Sequence, residues 1–362
     1  MTTALKTAAI GVGAFGRNHA RVYRDLAQKG EVEFVGIVDH DHARASAVAA
    51  EFGTRAFTSI DELLRDAKPE AASVAVPTVE HLNVARKLME AGVDVLIEKP
   101  LAASLGEADE LIRLAQRTSR IGMVGHLERF NPAVRATVPL LTQPMFFEVH
   151  RLSIFTPRAL DVDVVLDLMI HDLDVVLSFV DSPVKEVRAV GLPILTEKVD
   201  IANVRLEFDS GCVANFTASR VSTERVRKLR FFQPHQYISL DYTRQDVIAF
   251  TVEGGGGDGT GVAQPSSAVQ GFNPMEFMGS EDLGAHPSSP NIKLAKPPIE
   301  KEEPLMAEIK EFLRAVRERT KPLVSLEDGR RNLALALEIL AAIQQHSRRL
   351  NLHGPAVATS KS

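Results

Sequence analysis

Gly11-Val12-Gly13-Ala14-Phe15-Gly16 is the stretch that most constrains this chain. A strand pattern from Thr7 runs straight into it, and a helical pattern from Arg17 to about Lys29 leaves it. Three glycines at this spacing, between strand and helix, do separate things. Gly11 makes the tight turn, Gly13 lets the backbone approach a pyrophosphate, and Gly16 lets helix and strand pack closely. The next strand, Val32 to Val38, ends at Asp39, roughly 20 residues beyond the last glycine. There an acidic side chain can accept hydrogen bonds from the adenine-side ribose. A dinucleotide is therefore expected, with its pyrophosphate over Gly13, Ala14 and Phe15 and its ribose on Asp39. Asp39 favours NAD, because a carboxylate repels a 2′-phosphate and His40 is a weak counter-charge. NADP is the alternative, through Arg44.

The units then repeat. A helix from His42 to Phe52, a short helix after Ser59, a strand from Ala72 to Val76 and a helix from Thr78 follow in turn. After them come a strand from Asp94 to Ile97, a helix from Ser104 to about Thr118 and a strand from Gly122 to Val124. Strands alternating with helices build a parallel doubly wound sheet. Ligands sit beyond the carboxyl ends of such strands. Leu96-Ile97-Glu98-Lys99-Pro100 ends a strand there, which puts Lys99 at the mouth of the crevice, facing the nicotinamide half of the cofactor. Proline nearly equalises the two isomers of the bond before it. A cis Lys99-Pro100 peptide, turning the chain at the strand end, is expected.

Past Gly125 the pattern changes. Met145 to Ser153, Val184 to Val190, Ile201 to Phe208, Cys212 to Ser219, Arg227 to Phe232 and Ile238 to Leu240 read as strands, several alternating apolar with polar. One face of a mostly antiparallel sheet should be covered and the other free for association. The helices Val165 to Phe179 and Leu305 to Arg319 are assigned to the covered face. Val149, Val213, Phe216, Phe231 and Ile238 supply more apolar groups than a solvated face plus one helix layer needs, and the surplus is expected on the open face. A homodimer or homotetramer through face-to-face sheets follows. Glu253 to Pro298 reads as a long loop, with Phe272, Met275, Phe277 and Met278 expected to anchor it on a neighbouring subunit or the rim of the substrate pocket. A last helix, Leu326 to Arg348, opens with the capping box Ser325-Leu326-Glu327-Asp328. The expected organisation is a Rossmann α/β domain over 1–125 and an α+β domain over 126–362, which binds substrate and makes the oligomer. The last helix can pack back on the first domain.

Composition narrows the class of function. At 362 residues the chain exceeds what one hydrophobic core usually serves. A net charge of -5 leaves no footprint for nucleic acid or an anionic membrane. Cys212 is the only cysteine, which excludes an internal disulfide and a cysteine-ligated zinc site and fits a reducing compartment. No metal is expected. The stretch Met1 to Lys6 lacks a signal-peptide core, and no run approaches the roughly 18 apolar residues of a spanning helix. A cytoplasmic protein with a small-molecule substrate is expected.

The second half of the site lies in Val165-Leu166-Asp167-Leu168-Met169-Ile170-His171-Asp172-Leu173-Asp174. Asp167 and His171, four apart, share one helix face within hydrogen-bonding reach. A carboxylate that holds a histidine in one tautomer makes it a usable general base. Asp172 and Asp174 are assigned to helix charge or domain packing.

Together with Val324-Ser325-Leu326-Glu327-Asp328-Gly329-Arg330-Arg331, these motifs resemble the Gfo/Idh/MocA oxidoreductase family over nearly the whole chain. The resemblance implies NAD(P)-dependent oxidation or reduction of a sugar or cyclitol hydroxyl, with Lys99, Asp167 and His171 in the catalytic positions. Many members carry glycine where this chain has Met169. The cofactor set also takes in Pro77, Thr78, His81 and Glu98. A finer resemblance, in Val124-Gly125-His126-Leu127-Glu128-Arg129-Phe130-Asn131-Pro132, is to members that oxidise the 3-hydroxyl of UDP-N-acetylglucosamine for lipid A or surface polysaccharide. Arg129 and Asn131 could there hold a diphosphate or sugar hydroxyls; the other reading of Arg129 is an interdomain ion pair. The alternatives are a dehydrogenase of inositol or another free sugar, and a non-catalytic sensor of the same fold.

Overall fold

The structure is a computed structural model and describes residues 4–156, 162–252 and 292–349. The cluster expected to anchor the loop, Phe272 to Met278, lies outside them. The first sheet has strands β1 (Leu5–Ile10), β2 (Val32–Val38), β3 (Ala56–Phe57), β4 (Ala71–Val74), β5 (Asp94–Glu98) and β6 (Gly122–Gly125). They lie in the order β3-β2-β1-β4-β5-β6, all parallel. The order reverses between β1 and β4, which opens a crevice at their carboxyl ends. Helices α1 (Gly16–Gln28), α2 (His42–Phe52), α3 (Ile60–Asp66), α4 (His81–Glu90) and α5 (Leu105–Thr118) make the crossovers. Asp41, Ser59 and Ser104 accept from the amides of Arg44, Glu62 and Glu107 at the starts of α2, α3 and α5. Each such cap is worth about 1 kcal/mol. The helix expected from Thr78 begins as a 3₁₀ turn, Thr78–Glu80.

After α6 (Pro132–Thr137) the second sheet begins with β7 (Phe146–Leu152). A π-helical turn, Val165–Met169, leads into α7 (Ile170–Phe179). Then come β8 (Val184–Leu192), β9 (Ile201–Phe208), β10 (Val213–Ser219), β11 (Val226–Gln233), β12 (Gln236–Asp241), β13 (Asp246–Val252) and β14 (Ile292–Ala295). The order is β14-β13-β12-β11-β7-β10-β9-β8. Only β7 and β10 pair in parallel among these neighbours. β14 falls within the stretch expected to be loop, and its backbone pairs with Ala249 to Val252. Helices α8 (Pro304–Glu318) and α9 (Leu326–Arg349) end the described chain.

Two expectations about the second sheet need correction. Leu305, Ile309, Phe312, Leu313 and Val316 of α8 are buried with the core of the first sheet, not under the second. It is α9, with α6 and α7, that packs on the second sheet; α9 also reaches α5 and β6. An amphipathic stripe states that a helix packs on something, not on what. Val149, Phe216, Phe231 and Ile238 are not on the open face either. They are buried beneath the helices, and Val213 alone of that set keeps partial exposure. Alternation fixes which residues share a face, not which face is covered.

Candidate active site

The crevice over β1 and β4 has the shape a dinucleotide needs. Gly11 sits at φ +80°, and a Cβ there would lie 2.7 Å from the Ala75 carbonyl oxygen; at Gly16 a Cβ would stand 1.8 Å from the Gly11 oxygen. A Cβ on Gly13 would meet only the Arg44 guanidinium, at 3.9 Å, so the backbone there is open to a ligand. No side chain caps α1 at Phe15, and with the Arg17 and Asn18 amides bonded to the Gly13 and Phe15 carbonyl oxygens, it is the amides ahead of them that an anion can meet. The buried Asp39 carboxylate accepts from the amides of Val12 and Asp41, both at 2.9 Å, with Arg44 Nε at 3.8 Å. A cavity of about 830 Å³ runs past Gly11, Gly13, Asp39, Arg44 and Pro77. These residues fit a dinucleotide, with Thr78 opening the turn at the rim.

His81 and Glu98 sit one layer below. Nδ1 of the buried His81 lies 3.1 and 3.2 Å from the Pro100 and Leu101 carbonyl oxygens, and Nε2 lies 3.0 Å from that of Val76. The ring thus ties the end of β4 to the segment carrying Lys99. Its pKa is lowered, by burial first. Glu98 Oε1 is 2.9 Å from Nε2 of the fully buried His19. A Cβ on Gly125 would stand 2.7 Å from that carboxylate. Both residues hold the Lys99 strand end in place, whereas sequence reading put them on the cofactor.

Across the crevice, the Lys99-Pro100 peptide is cis, as expected. Lys99 Nζ donates to the Asp167 carbonyl oxygen at 2.9 Å. His171 is half-buried at the start of α7. Burial, then the charges of Lys99 and Arg151, hold its pKa well below the usual imidazole value. It is neutral at pH 7, as a general base must be. No hydrogen bond joins the Asp167 carboxylate to His171 among the described residues, and Nδ1 of His171 is buried without a partner. The expectation of a carboxylate–imidazole pair assumed α-helical spacing. Asp167 stands instead in the π turn, a local widening found often at functional sites. What Asp167 gives the site is its carbonyl, which holds Lys99.

The residues expected on the diphosphate are occupied elsewhere. Asn131 is buried and caps α6; its amide nitrogen donates to Glu128 Oε2 at 3.1 Å and the Tyr242 carbonyl at 3.0 Å, while its oxygen accepts from Ala133 N. Arg129 lies 3.7 Å from Asp174, an ion pair, but one whose two members both fall in the stretch expected to form the second domain. Sequence reading missed Arg151. It is buried, with Nε and Nη2 donating to Asp172 at 2.6 and 2.9 Å, Nη1 to Glu128 at 3.1 Å, and the Tyr242 ring at 5.1 Å. Burial alone would lower its pKa, but these carboxylates outweigh it and raise it. Arg227, opposite Arg151 in the β7–β11 ladder, was read only as the start of a strand. The sole sequence signal was that both arginines occupy inward positions of alternating strands. Among the described residues no cluster of three or more His, Cys, Asp or Glu could hold a metal, and no helix is long and apolar enough to cross a membrane.

Comparison with known proteins gives a consistent result. Residues 5–126 match the family description "Oxidoreductase family, NAD-binding Rossmann fold", and residues 137–234 match the GFO/IDH/MocA C-terminal domain. UDP-N-acetylglucosamine 3-dehydrogenase of Acidithiobacillus ferrooxidans is 34% identical over 346 residues, 95% of this chain and 99% of that protein. Its crystal structure superposes with a TM-score of 0.79 at 33% identity, covering 94% of this chain and 98% of that one. A scyllo-inositol 2-dehydrogenase (NAD(+)) of Bacillus subtilis is 27% identical, over 60% of this chain and 68% of its own length. An Agrobacterium radiobacter oxidoreductase in complex with NAD+ shares the fold, with a TM-score of 0.76 at 15% identity over 95% of this chain and 97% of that one. With the glycine-rich crevice, the strand-end lysine and the neutral histidine already in place, the chain belongs to the Gfo/Idh/MocA family of NAD-binding oxidoreductases.

Proposed function

We propose that this enzyme uses NAD to oxidise the 3-hydroxyl of a UDP-N-acetylhexosamine, UDP-N-acetylglucosamine first, to the 3-keto sugar. An aminotransferase making lipid A or surface polysaccharide would consume that product. The observation that carries the reading is the 34% identity to a UDP-N-acetylglucosamine 3-dehydrogenase across 95% of the chain. NAD, when bound, supplies the hydride acceptor. The backbone of Gly11, Gly13, Ala14, Phe15 and Gly16 cradles the pyrophosphate, Asp39 takes the ribose, and Pro77 and Thr78 edge the crevice. His171, with Nδ1 enclosed, presents Nε2 to the cleft and takes the hydroxyl proton there. Lys99 puts its ammonium on the oxygen where negative charge develops, and the Asp167 carbonyl sets its direction.

The test is a substrate panel with purified enzyme and NAD, containing UDP-N-acetylglucosamine, UDP-N-acetylgalactosamine, free N-acetylglucosamine and inositols. Absorbance of the reduced cofactor reports turnover, and hydroxylamine traps the ketone. UDP-N-acetylglucosamine should be the best substrate. Turnover of an inositol with the nucleotide sugars inert would favour the second reading, which rests on the inositol dehydrogenase relative. No reduction with any of them would favour a sensor.

The oligomer belongs to the same proposal. On the face away from the helices, Phe146, Phe232, Tyr237, Phe250 and Leu294 stand in one cross-strand row over β7, β11, β12, β13 and β14. Ring centroids along it are 5.7, 5.0 and 5.8 Å apart, and Phe232 is 38% exposed. A second sheet packing on this row would make a homodimer, or a homotetramer through a further contact. Phe232→Lys should dissociate it, and a wild type sedimenting as a 39.5 kDa species at micromolar concentration would refute the packing. A cytoplasmic location, where NAD and nucleotide sugars meet and Cys212 stays reduced, completes the reading.

A further inference from the structure

Arg227 stands on β11 in register with Arg151 of β7, on the side of the sheet that faces the helices. It shares strand parity with Leu229 and Phe231, which are buried beneath the helices, so it points to the side where His171 lies. The two arginines face the same way, but their surroundings differ. Arg151 is saturated by Asp172 and Glu128. The Arg227 guanidinium is exposed and forms no hydrogen bond or ion pair with any described residue. Its pKa is lowered, by partial desolvation first and then by the like charge of Arg151, which the charges of Glu128 and Asp172 oppose. It is also close enough for its charge to depress His171. A guanidinium whose in-register neighbour is a second arginine, and which forms no ion pair of its own with the described residues, gains little from its own protein. An anion arriving in the cleft would reverse that balance, and a planar fork of donors matches phosphate geometry.

We propose that Arg227 grips the diphosphate of the nucleotide sugar and thereby sets the sugar ring between His171 and Lys99. The proposal rests on the reading of the substrate as a nucleotide sugar, and it gives that reading a specificity residue. A free cyclitol or hexose carries no group for Arg227 to hold. Arg129 and Asn131, the residues the sequence offered for this task, are already paired within the protein.

The probe is UDP, titrated into NAD-saturated enzyme by calorimetry, alongside the kinetics of UDP-N-acetylglucosamine oxidation. In Arg227→Gln, UDP affinity should weaken and KM rise by about tenfold to a hundredfold, the loss expected for one charge-assisted contact. The fall in kcat should be much smaller than the rise in KM. Arg227→Lys should recover part of the loss, because the charge returns without the fork. NAD affinity and melting temperature should not move. UDP affinity and KM within twofold of wild type in Arg227→Gln would overturn the proposal, as would a wild type that does not bind UDP. Arg227-dependent UDP binding in an enzyme that leaves UDP-N-acetylglucosamine unoxidised would uphold the clamp and sink the proposed substrate. Normal oxidation by Arg227→Gln would do the reverse.

Discussion

Arg151→Met should unfold this enzyme more readily than any surface change, and the structure says by how much. The side chain is 3% exposed and holds two carboxylates, Asp172 at 2% and Glu128 at 12%. Methionine of similar length would leave both without a cation. Breaking a buried ion pair from one side costs about 3–5 kcal/mol, which for a chain of this size lowers the melting temperature by about 4–7 °C. The loss depends on pH in a definite direction. Unpaired and buried, the Asp172 carboxyl of the variant titrates above its unfolded value, because burial already pushes it up and the opposing Arg151 is gone, so its folded neutral form costs little near about pH 4. Stability is then lost as pH rises through the unfolded value towards neutrality. Thermal unfolding followed by circular dichroism at several pH values should show the gap to wild type opening from about pH 4. The variant Arg151→Met/Asp172→Leu/Glu128→Gln should close much of it, since replacing a whole buried network is far milder than halving it. A single variant within 1 kcal/mol of wild type at neutral pH would refute the reading of Arg151 as the cation that stabilises these two buried carboxylates.

Other outcomes follow from the same geometry. His171→Ala should lower turnover by roughly a hundredfold or more while NAD binding, measured by cofactor fluorescence, persists. Because burial and Lys99 depress the His171 pKa, kcat/KM in the wild type should stay level as pH falls through 6.5; in Lys99→Met the acid limb should move up towards that value. His40→Arg with Asp39→Ala should turn preference towards NADP, read from the ratio of kcat/KM values, and a wild type that already prefers NADP would contradict the role given to Asp39. Glu308 is fully buried with neither carboxyl oxygen partnered among the described residues, and burial, then the charges of Glu98 and Asp174, hold its pKa well above the usual range. The folded state keeps this proton while the unfolded state releases it, so wild-type stability falls as pH rises above the unfolded value. Glu308→Gln should therefore gain over wild type with rising pH, and a melting-temperature difference independent of pH would contradict it.

Much of this was legible in the chain, for identifiable reasons. The glycine spacing, the Ser325–Asp328 capping box and the strand-end Lys99-Pro100 are local signals, and each lies where expected. What the sequence could not carry was partnership. The stripe of α8 does not state which sheet it lies on, and the period of β10 or β11 does not state which face the helices take. Asn131 reads as a polar residue at a domain junction whether it waits for a ligand or caps a helix. The π turn at Val165–Met169 has no periodic signature in five residues, so the spacing of Asp167 and His171 promised a bond the backbone does not make. Arg227 emerged only when the β7–β11 register set it beside Arg151.

The most direct test of the account follows a single atom. UDP-N-acetylglucosamine deuterated at C3 of the sugar should be oxidised with NAD more slowly than the unlabelled compound, and mass spectrometry should find the deuterium on the reduced cofactor. The same experiment with His171→Ala should abolish the transfer on the time scale of wild-type turnover. Deuterium retained in a sugar that nonetheless reduces NAD would place the chemistry at another carbon and contradict the account.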